Sequence, residues 1–220
     1  AFYFPLNHSR EQIYKGKQTL IDKMPPTYVE SDEEATTLEN KIKDALIQTE
    51  LVLTYTIYEE RPVITRHATF KHLGQEEVTL TNAMSMAVDF PDYNYEMVEL
   101  TGAWSRERYV KHRKLEHGIQ SVYSMRGASS SNYNPFLALK RPQTTENSGE
   151  VYGFSLVYSG NFLAQAEVHT YGTTRVMMGL HPNRFNWVLK QGDVFQTPEV
   201  VMVYSEDGLN GMSQTYHELY

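Results

Sequence analysis

Apolar and polar positions alternate with a period of two along most of this chain, the pattern of strands with one buried and one wet face. Over residues 49–60, Leu51, Leu53, Tyr55 and Ile57 fall together, and that face is expected to point into a core. Over residues 77–90, Val78, Leu80, Met84, Met86, Val88 and Phe90 share a face on which Asn82 is the one polar intruder. Alternation sustained this far predicts one continuous strand. Further strands are predicted over 36–46, 62–72, 96–101, 107–112, 117–126, 151–158, 163–169, 174–180, 185–190 and 199–204. Gly74, Gly118, Gly172, His181-Pro182-Asn183 and Gln191-Gly192-Asp193 supply turns between them. So many antiparallel strands exceed what one flat sheet holds, so two packed sheets are expected. Nothing alternates strand with helix as a parallel barrel would require.

Two stretches break the alternation. Residues 22–34 are Pro-containing and acidic and read as a long loop. Residues 207–220 are helical, since Leu209, Met212, Tyr216 and Leu219 recur at helical spacing, with Ser205 or Asp207 as the cap. The pattern is still running at Tyr220, and Ala1 is not a start methionine, so a piece of a longer polypeptide is expected. Residues 1–220 read as one domain: an all-β, two-sheet antiparallel sandwich with a short C-terminal helix.

Composition narrows the chemistry. The 16 tyrosines and 9 phenylalanines among 220 residues suit half-buried pleated faces. A net charge of −7 repels phosphate backbones and argues against a nucleic-acid partner. With no cysteine there can be neither disulfide nor thiolate metal site, which fits a reducing cytoplasm. No apolar run has the length of a membrane-spanning helix, so no membrane partner is expected. Phosphate-cradling glycine loops, HExxH and metal-spaced His/Asp clusters are missing, so neither a metal nor a cofactor is expected. The eight histidines are scattered and read as exposed strand residues.

Two segments could carry recognition. In 101–114, Trp104 stands among Arg106, Arg108, Lys111, Arg113 and Lys114. It could be a sugar platform, with the ring on a pyranose face and arginine donating to hydroxyls, or a subunit contact anchored by Trp and Arg. It could equally be a core tryptophan beside a solvated basic strand. In 126–136, Arg126, Ser129, Ser130 and Asn134 belong to a polar loop able to meet sugar hydroxyls or simply to connect strands. The carboxylate pairs Glu33-Glu34, Glu59-Glu60 and Glu76-Glu77 read as solvated charge.

A long ordered series of words gives a resemblance. It runs through TYVE at 27–30, EATTL at 34–38, VITR at 63–66, GAWSRER at 102–108, RGASS at 126–130 and NPF at 134–136. It continues through GEVYGFSLVYSGNF at 149–162, FQTPEV at 195–200 and GLNGMS at 208–213. This series resembles the N-terminal β-domain of the family 36 glycoside hydrolases, the bacterial α-galactosidases. The family pattern carries His-Gln after RGxSS, and here Ser131–Tyr133 stands in that place.

The resemblance implies a galactose-mutarotase-like supersandwich whose first strands lie outside this sequence. It implies a retaining exo-glycosidase that removes terminal α-galactose from melibiose- and raffinose-type sugars. The two catalytic aspartates of that enzyme sit in a (β/α)₈ barrel beyond this chain, so no catalytic residue is assigned here. The implied partners are that barrel, neighbouring subunits of a homotetramer, and α-galactosides, in a bacterial cytoplasm. The expected role is scaffold and assembly near the active-site mouth, with one exposed apolar face where barrel or neighbour sits. A galactoside-binding module and a mutarotase-type epimerase are the alternatives.

Overall fold

A computed structural model describes residues 6–21 and 24–220. Its strands, all paired antiparallel, are β1 (Leu6–Lys15), β2 (Ala35–Asp44), β3 (Thr49–Tyr58), β4 (Val63–His72), β5 (Val78–Leu80), β6 (Met84–Phe90), β7 (Glu96–Ala103), β8 (Arg106–Lys114), β9 (Gly118–Tyr123), β10 (Phe136–Lys140), β11 (Val151–Leu156), β12 (Phe162–Val168), β13 (Thr174–Leu180), β14 (Trp187–Leu189), β15 (Val194–Gln196) and β16 (Val200–Ser205). The helix α1 (Gly208–Leu219) follows. A ten-stranded sheet runs β1-β2-β3-β4-β16-β11-β10-β7-β8, with β15 also on β4. A four-stranded sheet, β6-β13-β12-β9, packs on it, and β14 pairs with β5 apart.

The layers explain which strands the alternation can find. Between the sheets lies a core built on Met86, Met97, Leu139, Phe154, Phe162 and Met178. On the other face of the large sheet, Met212 and Tyr216 of α1 pack on Val98, Ala138, Val201 and Val203. Strand β10 is therefore covered on both sides, so its sequence shows no alternation to predict it. Strand β1 escapes for the opposite reason: its residues are mostly polar, and Ile13 is 70% exposed. Strand β15 is three residues long.

The strand predicted over 77–90 is two. It breaks at 81–83, where Asn82 sits, so that β5 joins β14 and β6 joins β13. The predicted loop at 22–34 is present where described, ending in a single 3-10 turn at Asp32–Glu34; Asp22 and Lys23 lie outside the described residues.

The expected core face of residues 49–60 is also corrected. In β3 the buried side is Val52, Thr54, Thr56 and Tyr58, while Leu51, Leu53 and Tyr55 are half-buried and Ile57 is 49% exposed. The register aligns Ile13, Leu38, Tyr55 and Arg66 across β1–β4, and Thr36, Ile57 and Ile64 beside them. The four-stranded sheet stops at β6 and leaves this apolar face uncovered among the described residues. Arg66 reaches that rim, its Nη1 donating to the Ala87 carbonyl at 3.1 Å and its guanidinium 5.0 Å from the Tyr55 ring.

The threonine side is covered by a strap, residues 16–21 and 24–31. Its anchor is Glu199, fully buried between β15 and β16. Lys17 Nζ donates to Glu199 Oε1 at 2.9 Å and lies 2.7 Å from Oε2. The Thr27 amide and hydroxyl donate to the same Oε1 at 3.0 and 2.5 Å. Ile21 N–H donates to Gln196 Oε1 at 2.8 Å. Beneath lies a buried polar layer that includes Thr37, Glu39, Thr56, Thr65 and His67. Histidines expected on the surface thus include two buried ones, His67 and His72, which are 6% and 1% exposed. Burial pushes the His67 imidazole down to about 4.

The segment 144–153 has a structural explanation. The first amides of α1 need acceptors, and the loop before β11 supplies them: Gly208, Leu209 and Asn210 donate to the carbonyls of Gly149, Thr145 and Glu146. Asp207 is the N-cap residue but makes no side-chain cap bond; Ser205 Oγ instead accepts from the Asp207 amide. Gly153 lies under the helix, where a Cβ would stand 2.6 Å from Met212 Sδ.

Candidate functional site

The two segments singled out by composition meet. Strands β7 and β8 form a hairpin closed by the Ala103–Arg106 pair, with Trp104 and Ser105 at its tip. The register slips between Thr101 and Ala103, and Gly102 permits this because a Cβ there would stand 2.4 Å from the Arg106 carbonyl. The 126–136 loop runs beside β7 near the tip of the hairpin. Gly102 N–H donates to the Asn132 carbonyl at 3.0 Å, Asn134 N–H donates to the Leu100 carbonyl at 3.2 Å, and Thr101 bridges to Tyr133.

Between them lies an open hollow of about 580 Å³, walled by Glu99, Arg106, Tyr109, Lys111, Asn132 and Tyr133. Arg106 and Lys111 bring cations. The Glu99 carboxylate, 5% exposed, is taken by the Arg113 guanidinium. The hollow therefore offers chiefly donors, with the ring of Tyr109, 57% exposed, at its edge. Tyr133 packs its ring on Tyr123 at 6.3 Å and 27°.

The remaining candidates divide. Trp104 is 88% exposed at the hairpin tip, so it is not a core residue. Arg108 sits on β8 with φ +62° and is exposed, outside the hollow. Arg126 is also exposed and does not line the hollow. Ser129 and Ser130 shape the loop: the Ser129 amide donates to the Ser159 carbonyl at 2.6 Å, and Ser130 Oγ accepts from the Asn132 amide at 3.3 Å. Of the seven predicted residues, only Arg106 contributes a side chain to the hollow. Glu99, Tyr109 and Tyr133 join it without having been singled out by composition. Period two does place Tyr109 and Lys111 on one face of β8. It puts Arg106 on the other, and the register slip with the positive φ of Arg108 brings Arg106 round to join them.

A second opening of about 600 Å³ carries carboxylates, among them Glu34, Glu59, Glu60 and Glu218. Their bonds are those of structure. Glu34 Oε1 accepts from the Glu30 and Ser31 amides at 3.2 and 3.1 Å. Glu59 accepts from Lys15 Nζ and the Thr36 hydroxyl, each at 2.6 Å, which holds its carboxyl below the usual range. A general acid for glycoside cleavage needs the opposite shift.

Comparison with known proteins agrees with this geometry. Residues 4–190 match the glycosyl hydrolase family 36 N-terminal domain, and residues 194–220 match melibiase. The α-galactosidase AgaA of Geobacillus stearothermophilus is 56% identical over 98% of the chain, and alpha-galactosidase 1 of Pediococcus pentosaceus is 45% identical over 94%. The chain spans 29% and 28% of these two relatives. A crystal structure of a G. stearothermophilus AgaA variant in complex with stachyose superposes with a TM-score of 0.97 at 55% identity, over 100% of this chain and 30% of that one. The galactosidase domain of the α-galactosidase–sucrose kinase AgaSK gives 0.93 at 36%, over 97% and 30%. The all-β sandwich carrying these hairpins therefore belongs to the N-terminal domains of the family 36 glycoside hydrolases.

Proposed function

We propose that this chain is the non-catalytic β-domain of an α-galactosidase whose whole polypeptide cleaves terminal α-galactosyl residues from melibiose- and raffinose-type oligosaccharides with retention. Residues 1–220 act in it as one domain, since β16 lies between β4 and β11 inside the large sheet. The catalytic carboxylates belong to the (β/α)₈ barrel outside this chain. The observation that carries the scaffold role is the apolar face of β1–β4, uncovered among the described residues. Ile13, Ile57 and Ile64 are 70%, 49% and 38% exposed on a sheet whose opposite face is closed by the strap. Contiguous apolar surface on a sheet is a contact surface, and other parts of the same polypeptide are its occupant.

The hairpin of β7 and β8 has a different role. Exposed Trp104 and a basic edge strand, on a chain of net charge −7, suit contact with a neighbouring subunit of a homotetramer in the bacterial cytoplasm. The donor-lined hollow at Arg106 favours a second reading, contact with galactoside hydroxyls at the active-site mouth.

The test is hydrolysis of p-nitrophenyl α-galactoside by the whole enzyme and by this chain alone. The whole enzyme is expected to turn over with net retention, and the chain to be inert. Turnover by the chain would overturn the assignment.

A further inference from the structure

We propose that the hollow beside β14 is a saccharide-binding site, with Trp187 as its platform and Asn161, His181, Asn183 and Arg184 as its hydrogen-bonding fringe. The hollow measures about 470 Å³, within the range of about 300–1,000 Å³ typical of ligand sites. The proposal rests on the reading of the parent as an enzyme of α-galactosides only for its choice of sugar; the hollow itself is read from its chemistry.

The platform is built from the core outward. Phe195 of β15 touches Phe70 at 6.4 Å, Phe185 at 5.6 Å and Trp187 at 5.1 Å. β14 is held by its pairing with β5, Trp187 opposite Leu80. The Trp187 ring is thus fixed on one side by a packed aromatic, yet it stays 49% exposed. A held, half-exposed indole suits the apolar C–H face of a pyranose, which needs a flat ring and loses little entropy on it.

The fringe is donor-rich. Asn161 Oδ1 already accepts from the Gly127 amide at 2.7 Å, which turns its NH₂ group into the free end. His181 Nδ1 accepts from the Asn183 amide at 3.1 Å, leaving Nε2–H as the outward donor. Burial lowers the His181 pKa, so the ring is neutral at pH 7. The Asn183 NH₂ meets a sulfur, Met125 Sδ, at 2.9 Å, a weak acceptor that a hydroxyl would better. Arg184 is exposed, with φ +61°, and makes no ion pair among the described residues. An anion would find one cation and a neutral imidazole. A neutral polyol finds an apolar floor and several planar donors.

The two tryptophans, Trp104 and Trp187, make the test direct. Trp104→Phe leaves Trp187 as the lone indole of this domain. Titrating that variant of the whole enzyme with raffinose and stachyose, in a catalytically inactivated background with the tryptophans outside this domain replaced by phenylalanine, is expected to shift Trp187 emission saturably in the millimolar range. Trp187→Ala, followed by calorimetry, should weaken binding at this site by about tenfold, the size of a lost aromatic contact. Because Trp187→Ala could loosen β14, Arg184→Asn serves beside it, since Asn tolerates positive φ; it should weaken binding several-fold with an unchanged melting temperature. A flat titration, binding indifferent to both substitutions, or a Trp187 shielded from acrylamide in the whole enzyme would overturn the proposal. Hydrolysis of α-galactosides by the active enzyme tests the parent's activity separately: a flat Trp187 titration beside intact turnover sinks the site alone. Saturable Trp187 binding beside absent turnover would keep the site and sink the enzymatic reading.

Discussion

Replacing Glu199 by leucine should be the costliest single change on the outer face of the large sheet. Its carboxylate is fully buried and serves three donors: the Lys17 ammonium, itself 5% exposed, and the amide and hydroxyl of Thr27. Breaking a buried pair from one side costs about 3–5 kcal/mol, because a charge stays behind without its partner. Burial already holds the Lys17 ammonium below its ordinary pKa with Glu199 present. Without Glu199 it can shed its proton, which caps the cost rather than removing it. The Thr27 amide, left without an acceptor, contributes about 1–3 kcal/mol within that total. For a domain of this size, 3–5 kcal/mol corresponds to a fall in Tm of roughly 6–20 °C. Urea unfolding followed by far-UV circular dichroism gives the free energy, and limited proteolysis within 17–31 reports release of the strap. Lys17→Met combined with Glu199→Leu should cost less than Glu199→Leu alone, because no buried charge is then stranded. The reasoning fails if Glu199→Leu costs under about 1 kcal/mol, or if the two single costs simply add in the double variant.

Further outcomes follow from the same structure. His67, pushed down to about 4 from an unfolded value near 6.5, should make stability depend on acid. Its contribution is complete above pH 6.5, where both states are neutral, and drains away as pH falls toward 4, where only the unfolded chain has taken the proton. The loss is about 3 kcal/mol, seen as the difference between wild-type and His67→Gln urea midpoints across that window; parallel curves would contradict it. Gly153→Ala drives a methyl into Met212 and Tyr216 and should cost about 1–3 kcal/mol by overpacking, measured by thermal melting. Trp104→Ala should move stability by less than about 0.5 kcal/mol, since the ring is 88% exposed, while lowering subunit association of the whole enzyme in sedimentation velocity.

Period two finds strands that are wet on one side and misses those that are not. Strand β10 is hidden because the core and α1 cover both its faces; β1 is hidden because its residues are mostly polar. The helix is legible because Met212 and Tyr216 pack at one helical face on a sheet that is otherwise continuous apolar surface. Its start is less so. The acceptors for its first amides are backbone carbonyls far earlier in the chain, at Thr145, Glu146 and Gly149, and no local cap pattern can announce them. The candidate site is half legible. Composition marks the Trp104 hairpin and the 126–136 loop, and their contact is real, but backbone bonds such as Gly102 to Asn132 make it. Which side chains line the resulting hollow depends on the bulge in β8 opposite Gly102, which shifts the faces of β8 against those of β7.

The misreading of β3 bears on function. Leu51, Leu53, Tyr55 and Ile57 have the pattern of a core face, and the threonines opposite have the pattern of a solvent face. In the fold the threonines are buried beneath a strap that brings its own polar partners, and the apolar residues are left half-buried or, at Ile57, exposed. Taken alone, this face costs solvation free energy, since apolar area left in water forgoes about 25 cal/mol per Å². A sequence that keeps Ile13, Leu38, Ile57 and Ile64 on this face, while closing the polar side with a buried ion pair, suits a protein in which the apolar side is covered. Under the proposed scaffold role, the alternation marks a face that other parts of the whole polypeptide would cover. The strap closes one of the sheet's two faces and so determines which one is left free for that contact.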